Sequence, residues 1–410
     1  MKALQFNVNV PKFLIIQALR PISGSFCYRG PFSTVKLVDI PEPTLPSPEW
    51  VKIKTKLCGV CGSDINLLFL KDSPTASPFT SFPCVPGHEF CGEIVEIGKE
   101  VDNCKKGDLV AVVPALNCHT RAISPICRSC AAGLTANCDN FAEGTFSPGM
   151  FIGICKDING GFAEYVVAHK SQVYVVPAGV SPESAALVEP LSVGLQAVLD
   201  NRPDDTDKVL VIRGGVIGAM LVKCMRALDS GCDITVVEPS TFAAEHVKKC
   251  GANRTIKGGI IDAAVEIAGG RAYQPLLGQR VVMGGFDKVY DTVGHADTLN
   301  MALRVTATNG TLSVIGIGKE VKLDLTTLWL KLQTVKGCYG YRYNNIAGVK
   351  KHTFEMAIDL ISSKKIQVDN MLTHKFPLEK YRELIEVNVK KDINRAMKTA
   401  VSFNQERRLL

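Results

Sequence analysis

The sequence has no hydrophobic run long enough to cross a membrane. Its longest apolar runs, such as "AVVPAL" and "VLVI", have the length of β-strands, whereas a membrane-spanning helix needs roughly 20 apolar residues. It also has no long basic tract, because the formal net charge of +7 is spread along the chain with only mild clusters at "HVKK" and "NVKKDINR". These two absences argue against a membrane protein and against a nucleic-acid partner.

The N-terminal region lacks the marks of a secretory signal. Its short apolar patch "FLIIQAL" has neither a charged leader nor a small-residue cleavage site, so we expect a cytoplasmic protein. Fifteen cysteines would suggest disulfides in a small secreted domain. In a large chain without an export signal they favour reduced thiols and metal ligation instead.

Length and composition predict two globular domains. A chain of 410 residues exceeds a single ordinary core, and its 46% hydrophobic and 21% charged residues are typical of a packed protein. Residues 1–189 contain short β-type runs broken by glycine and proline. Residues 190–336 alternate strands with helices, which indicates a parallel sheet wrapped by helices in an α/β protein. Residues 337–410 leave this series, and we expect them to return to the first domain.

Four cysteines lie within one turn-rich stretch, "CHTRAISPICRSCAAGLTANC". Cys127 and Cys130 form a C-x2-C pair, which places two ligands on one ion at low entropic cost. Cys138 follows and Cys118 precedes this pair. A closed structural zinc site is the favoured interpretation, small buried thiols are the alternative, and a disulfide pair is the least favoured in a reducing compartment.

A second set of candidate ligands is spread over three motifs. Cys61 lies in "GVCGSD", His88 and Glu89 lie in "GHE", and Glu189 lies in "VEPLSVGLQAV". Cys61, His88 and one of the two glutamates would supply three ligands and leave a fourth position open for water or substrate. An open coordination position indicates catalysis.

A candidate dinucleotide site follows the strand-like run "KVLVI". There the motif Arg213-Gly214-Gly215-Val216-Ile217-Gly218 opens a helix, and it supplies the second and third glycines of G-x-G-x-x-G as Gly215 and Gly218. The first glycine is replaced by Arg213, which implies a relaxed turn or an altered path, with the guanidinium near phosphate. Glu238, at the end of the next strand, would bind the ribose hydroxyls and repel a 2′-phosphate, which favours NAD over NADP.

Taken together, these motifs resemble the zinc-dependent medium-chain alcohol dehydrogenases over almost the whole chain, and "VEPLSVGLQAV" resembles the sorbitol, glucose and threonine dehydrogenase branch. The resemblance implies a GroES-like catalytic domain, a Rossmann domain, a catalytic zinc and a structural zinc. We call the four-cysteine stretch from Cys118 to Cys138 the lobe. Family spacing would put one of the lobe cysteines at position 124, where this chain has Ser124. Cys118 could replace it, but a three-sulfur site or an empty lobe is the alternative.

The resemblance also implies roles near the catalytic zinc. Ser63 matches the hydroxyl that takes the alcohol proton, Asp64 is placed to orient His88, and Asn66 stands where a relay histidine is usual. We therefore expect hydride transfer between an alcohol, polyol or sugar-type substrate and NAD(P), in a homodimer or homotetramer. The alternatives are a zinc-free quinone or enoyl reductase and a non-catalytic relative that binds NAD and zinc.

Overall fold

Nineteen strands and twelve α-helices form the described part, residues 1–316 and 319–403, of this computed structural model. The strands are β1 (Lys2–Phe6), β2 (Val35–Asp39), β3 (Trp50–Gly59), β4 (Glu89–Ile97), β5 (Leu109–Val112), β6 (Tyr165–His169), β7 (Val173–Val175), β8 (Lys208–Ile212), β9 (Asp233–Val237), β10 (Arg254–Ile256), β11 (Arg271–Tyr273), β12 (Val281–Met283), β13 (Phe286–Asp291), β14 (Thr306–Val314), β15 (Thr334–Gly337), β16 (Tyr343–Ile346), β17 (Val349–His352), β18 (Leu372–Pro377) and β19 (Lys398–Ser402).

The helices are α1 (Val10–Leu19), α2 (Gly62–Leu68), α3 (Arg128–Ala131), α4 (Pro182–Ala185), α5 (Val188–Asp200), α6 (Val216–Ala227), α7 (Thr241–Lys249), α8 (Ile260–Glu266), α9 (Ala296–Val305), α10 (Thr326–Leu330), α11 (Thr353–Ser362) and α12 (Tyr381–Val389). Short 3₁₀ helices cover Gly24–Cys27, Pro74–Phe79, Thr135–Asn137, Lys170–Gln172, Asp369–Met371 and Leu378–Lys380. Within the described ranges, no helix has both the length and the apolar character needed to cross a membrane.

The chain divides into two units, Met1–Glu189 with the chain from Tyr341 onward, and Pro190–Gly340. The first unit is built on a sheet with the order β18-β19-β3-β4-β5-β7, in which β6 also pairs with β3. β3 pairs antiparallel with both β4 and β19. The apolar side chains that β3 turns inward, such as Val51 and Ile53, join one large core.

The second unit carries six parallel strands in the order β10-β9-β8-β13-β14-β15. The central strand β8, "KVLVI", is buried at four of its five residues, as expected for a strand of a parallel sheet with both faces covered. β11 and β12 form a separate antiparallel hairpin. The two sheets confirm the predicted α/β fold class, with a β-rich first unit and a Rossmann-type parallel sheet in the second.

A fully buried lysine ties three segments of the second unit together. The ammonium group of Lys331 donates to the carbonyl oxygens of Val282 at 3.0 Å, of Arg304 at 2.9 Å and of Thr306. Arg304 and Thr306 lie at the end of α9, where helix carbonyls lack partners within the helix. Burial lowers the pKa of Lys331 to about 8. Lys331 therefore caps α9 from inside the protein.

We expect Lys331→Met to destabilise the protein by about 1–3 kcal/mol, because the carbonyls of Val282 and Arg304 would lose the ammonium donor while the side-chain volume is kept. The carbonyl of Thr306 would keep only its second donor, the side-chain amide of Gln333. The midpoint of urea unfolding measures this change. Lys322→Met is the matched control, since Lys322 is exposed. Equal midpoints for the two variants would contradict the capping role.

Candidate functional site

The structure brings the four lobe cysteines together. The sulfurs of Cys118, Cys127, Cys130 and Cys138 all lie within 4.8 Å of one another, and the sulfur of Cys138 is 3.6 Å from that of Cys118 and 3.8 Å from that of Cys127. All fifteen cysteines are free thiols. Ser124 is exposed, so Cys118 supplies the fourth sulfur of the group. Four sulfurs at this separation fit a tetrahedral zinc ion.

Amide N–H groups point at these sulfurs. Backbone N–H groups donate from Cys127 to Cys118 at 3.3 Å, from Cys130 to Cys127 at 3.4 Å and from Asn140 to Cys138 at 3.3 Å. The side-chain amide of Asn140 also donates to Cys118 at 3.3 Å. Hydrogen bonding from the Cys130 thiol lowers the pKa of Cys138 to about 5. Such donors favour thiolates, the form that binds zinc. Asn140 was not predicted from the sequence, although an amide donor two residues after the last cysteine was a usable signal.

A second group of ligand atoms lies beside the central sheet of the first unit. Atoms of Cys61, His88 and Glu89 lie within 4.8 Å of one another. Cys61 is the N-cap residue of α2, and Glu89 begins β4 directly after His88. His88 and Glu89 are buried, whereas Cys61 is partly accessible. A thiolate, an imidazole and a carboxylate form a three-ligand set that zinc accepts while keeping one position open.

Asp64 links two members of this group. Its Oδ2 accepts the backbone N–H of Cys61 at 2.8 Å, and its Oδ1 lies 3.4 Å from Nδ1 of His88. A carboxylate beside one ring nitrogen of a histidine is the usual partner of a metal-binding imidazole. Burial lowers the pKa of His88, but the Asp64 carboxylate and Cys61 together outweigh burial, and the net direction of the pKa is upward. Ser63 lies half-buried in the first turn of α2, next to Asp64.

Glu189 lies outside the three-ligand group. It is buried in the first turn of α5, and the hydroxyl of Tyr341 donates to its Oε1 at 3.2 Å. Burial, followed by the charge of Glu89, raises the pKa of Glu189 to about 7. Of the two glutamates considered from the sequence, Glu89 is therefore the one whose carboxylate lies among the ligand atoms.

Lys398 is a site residue that was not predicted from the sequence. Its ammonium group forms an ion pair with Oε2 of Glu89, and both side chains are almost fully buried, at 3% and 2% exposed. Burial lowers the pKa of Lys398, but the acidic groups around it, Glu89 first and then Cys61 and Glu189, together raise the pKa overall. A Cβ at Gly59 would strike Oε2 of Glu89 and come within 2.9 Å of Cε of Lys398. The lysine at the head of the apolar run "KTAVS" was the available signal.

The candidate coenzyme site lies in the second unit. β8 ends before Arg213, and α6 begins at Val216. Gly215 is the N-cap residue of α6 and has no side chain with which to cap the first N–H groups of this helix. A Cβ at Gly215 would meet nothing within 4 Å, whereas one at Gly218 would strike the carbonyl oxygen of Arg213. The motif thus leaves the N-terminus of α6 open to a phosphate and packs the loop tightly against the helix. Val216 and Ile217 form the first turn of α6.

Glu238 follows β9 and is buried. Its carboxylate accepts the backbone N–H groups of Gly214 and Ser240, each at 2.8 Å. Glu238 therefore lies against the glycine motif, where the acidic residue of a dinucleotide site is expected.

Comparisons with known proteins agree with these arrangements. The model of the alcohol dehydrogenase GroES-like domain matches residues 47–178, and that of the zinc-binding dehydrogenase matches residues 216–363. L-galactonate-5-dehydrogenase of Escherichia coli (strain K12) is 30% identical over 352 residues, which cover 85% of this chain and 90% of that protein. The chain belongs to the zinc-dependent medium-chain dehydrogenase family.

Other relatives agree with this membership. Sorbitol dehydrogenase of Bacillus subtilis (strain 168) is 26% identical to this dehydrogenase over 353 residues, covering 86% of this chain and 90% of that protein. The crystal structure of 2R,3R-butanediol dehydrogenase from Bacillus subtilis has a TM-score of 0.70 and 27% identity, and covers 90% of this chain and 96% of that chain. The family predicted from the motifs is confirmed. This dehydrogenase is an oxidoreductase that transfers a hydride between a small alcohol or polyol and NAD(P).

We expect Lys398→Met to destabilise the protein by roughly 3–5 kcal/mol, because it leaves the buried Glu89 carboxylate without its cation. Thermal unfolding in the presence of a chelator measures this without a metal contribution. Lys375→Met is the matched control: Lys375 pairs with Glu183 at 2.8 Å on the surface, and its loss should cost less than about 1 kcal/mol. Indistinguishable shifts for the two variants would rule out a special role of the buried pair.

Proposed function

We propose that this dehydrogenase oxidises a secondary alcohol, polyol or sugar-type substrate with NAD at a zinc ion held by Cys61, His88 and Glu89. The observation that carries the proposal is the convergence of these three ligand atoms within 4.8 Å. The relatives named as sorbitol, butanediol and L-galactonate dehydrogenases support this substrate class. Zinc bound there supplies Lewis acidity toward an alcohol oxygen, and the nicotinamide supplies the hydride acceptor.

The chain's own residues orient the ligands and move the proton. The carboxylate of Asp64 lies beside Nδ1 of His88 and accepts the backbone N–H of Cys61, so it positions both ligands. Ser63, one residue away on α2, is the hydroxyl that takes the proton of the alcohol in this proposal. Asn66 cannot titrate near neutral pH, so the proton leaves through water or another group rather than through this side chain. Glu189 stays near the site, held by Tyr341, without joining the ligand set.

A structural zinc in the four-cysteine lobe is the second part of the proposal. Four converging sulfurs and the amide donors around them support a closed site with no position for substrate. Cys118 is the fourth ligand.

NAD is the proposed preferred coenzyme. The buried carboxylate of Glu238 beside Gly214 supports this preference, because it would accept the ribose hydroxyls and repel a 2′-phosphate. The free state of all fifteen thiols supports a cytoplasmic location, where glutathione keeps cysteines reduced.

We also propose that the enzyme is a homo-oligomer. Apolar side chains are exposed around α10 and the edge strand β15 of the second unit: Trp329 is 79% exposed, Leu332 70% and Val335 44%. In the described residues β15 pairs only with β14, so its other edge is open. Exposed apolar clusters beside an open strand edge are typical of association surfaces.

We expect Cys61→Ser to lose the catalytic zinc and at least about a hundredfold of turnover, because the open metal site loses its thiolate. Metal analysis and NADH formation on sorbitol, butane-2,3-diol and L-galactonate measure both effects. Cys130→Ser should lose only the lobe zinc and lower the melting temperature, with hydride transfer still detectable. Cys104→Ser, at a half-buried cysteine outside both clusters, is the control. Full activity of metal-depleted Cys61→Ser would refute the catalytic assignment.

We expect Trp329→Glu to weaken self-association at least about tenfold, since a buried tryptophan is a frequent hot spot of an interface. Light scattering after size exclusion measures the mass of the particle. Leu276→Glu is the control, because Leu276 is fully exposed on the β11–β12 hairpin of the same unit. A monomeric wild-type protein at micromolar concentration would contradict the proposed oligomer.

A further inference from the structure

Arg213 occupies a backbone conformation that favours glycine. Its φ is +76°, in the left-handed region that non-glycine residues rarely adopt. Glycine would make the turn between β8 and α6 without this cost, and G-x-G-x-x-G motifs have glycine here. A strained residue at a binding motif is a reason to look for a role of its side chain.

The guanidinium of Arg213 faces Glu238. Its Nη1 lies 3.7 Å from Oε1 of Glu238, and the arginine side chain is 49% exposed while the glutamate side chain is 6% exposed. The arginine therefore covers the carboxylate from the solvent side, and its remaining N–H groups are accessible to a ligand. Arginine presents five donors in a planar fork that suits phosphate oxygens.

The carboxylate of Glu238 is already committed to the protein. Oε2 accepts the N–H of Gly214, and Oε1 accepts the N–H of Ser240. With Arg213 alongside, two donors and one cation satisfy much of its hydrogen-bonding capacity and offset its charge. A carboxylate in this state repels a nearby phosphate less than a free one does.

We propose that Arg213 is the residue that sets specificity at the 2′ position of the coenzyme, by offsetting Glu238 and binding the 2′-phosphate of NADP. In dinucleotide sites the acidic residue binds the 2′-hydroxyl of NAD, whereas a nearby arginine accommodates the 2′-phosphate. This chain has both groups in contact. The inference rests on the proposed coenzyme site. It implies that the enzyme binds NAD only slightly more tightly than NADP.

The test is the binding of NADH and NADPH to the full-length protein, followed by coenzyme fluorescence without substrate. Wild-type protein should bind the two coenzymes with dissociation constants within about tenfold of each other. Arg213→Gln should weaken the binding of NADPH by at least about tenfold, which corresponds to one charged hydrogen bond. It should weaken the binding of NADH by less than about threefold. Arg213→Lys should retain most NADPH binding because it keeps the charge.

The matched control is Arg280→Gln, which removes the same charge from a surface pair with Asp262 in the same unit. It should leave both dissociation constants unchanged. Equal weakening of NADH and NADPH by Arg213→Gln would mean that the guanidinium binds the shared pyrophosphate, and would overturn the inference. Wild-type binding of NADH alone would also overturn it while leaving the proposed function intact. Failure to bind either coenzyme would refute the proposed function together with the inference.

Discussion

The buried ion pair between Glu89 and Lys398 is the constraint on which the candidate active site depends. Glu89 begins β4, Lys398 begins β19, and both strands pair with β3, where Gly59 leaves the space that the two side chains fill. A carboxylate and an ammonium are taken from water at a high cost, which only close pairing offsets. The strand register therefore holds the Glu89 carboxylate beside Cys61 and His88. The pairing of the strands thus determines where the three ligand atoms meet.

The charges of this group explain why a divalent cation suits it. The carboxylate of Glu89 is paired with Lys398, and binding of a metal by Cys61 would add the charge of a thiolate to this largely buried group. A divalent metal ion that accepts sulfur, nitrogen and oxygen ligands would suit this set and would offset the thiolate charge. This arrangement disfavours the zinc-free quinone or enoyl reductase considered from the sequence. The non-catalytic alternative rested on two departures from the family pattern, Asn66 and Arg213. Arg213 lies against Glu238, the carboxylate expected to bind the ribose, so its presence does not argue against a coenzyme site.

The sequence predicts those parts of the fold and site that are encoded locally. The C-x2-C pair, the "GHE" motif and the strand-to-helix glycine motif each fix a short stretch of backbone, and the change from β-type runs to alternating strands and helices indicates the fold class. Lys398 could not be assigned in the same way, because more than 300 residues of sequence separate it from Glu89. The two residues meet only because β19 and β4 both pair with β3. The choice between Glu89 and Glu189 likewise depended on tertiary structure.

The most direct test of the central claim is a crystal structure of the protein purified without chelator, with anomalous scattering measured on both sides of the zinc absorption edge. The account predicts one zinc peak bounded by Cys61, His88 and Glu89, and a second one among the four lobe sulfurs. A peak in the lobe alone, with Cys61 and His88 too far apart to share an ion, would contradict it.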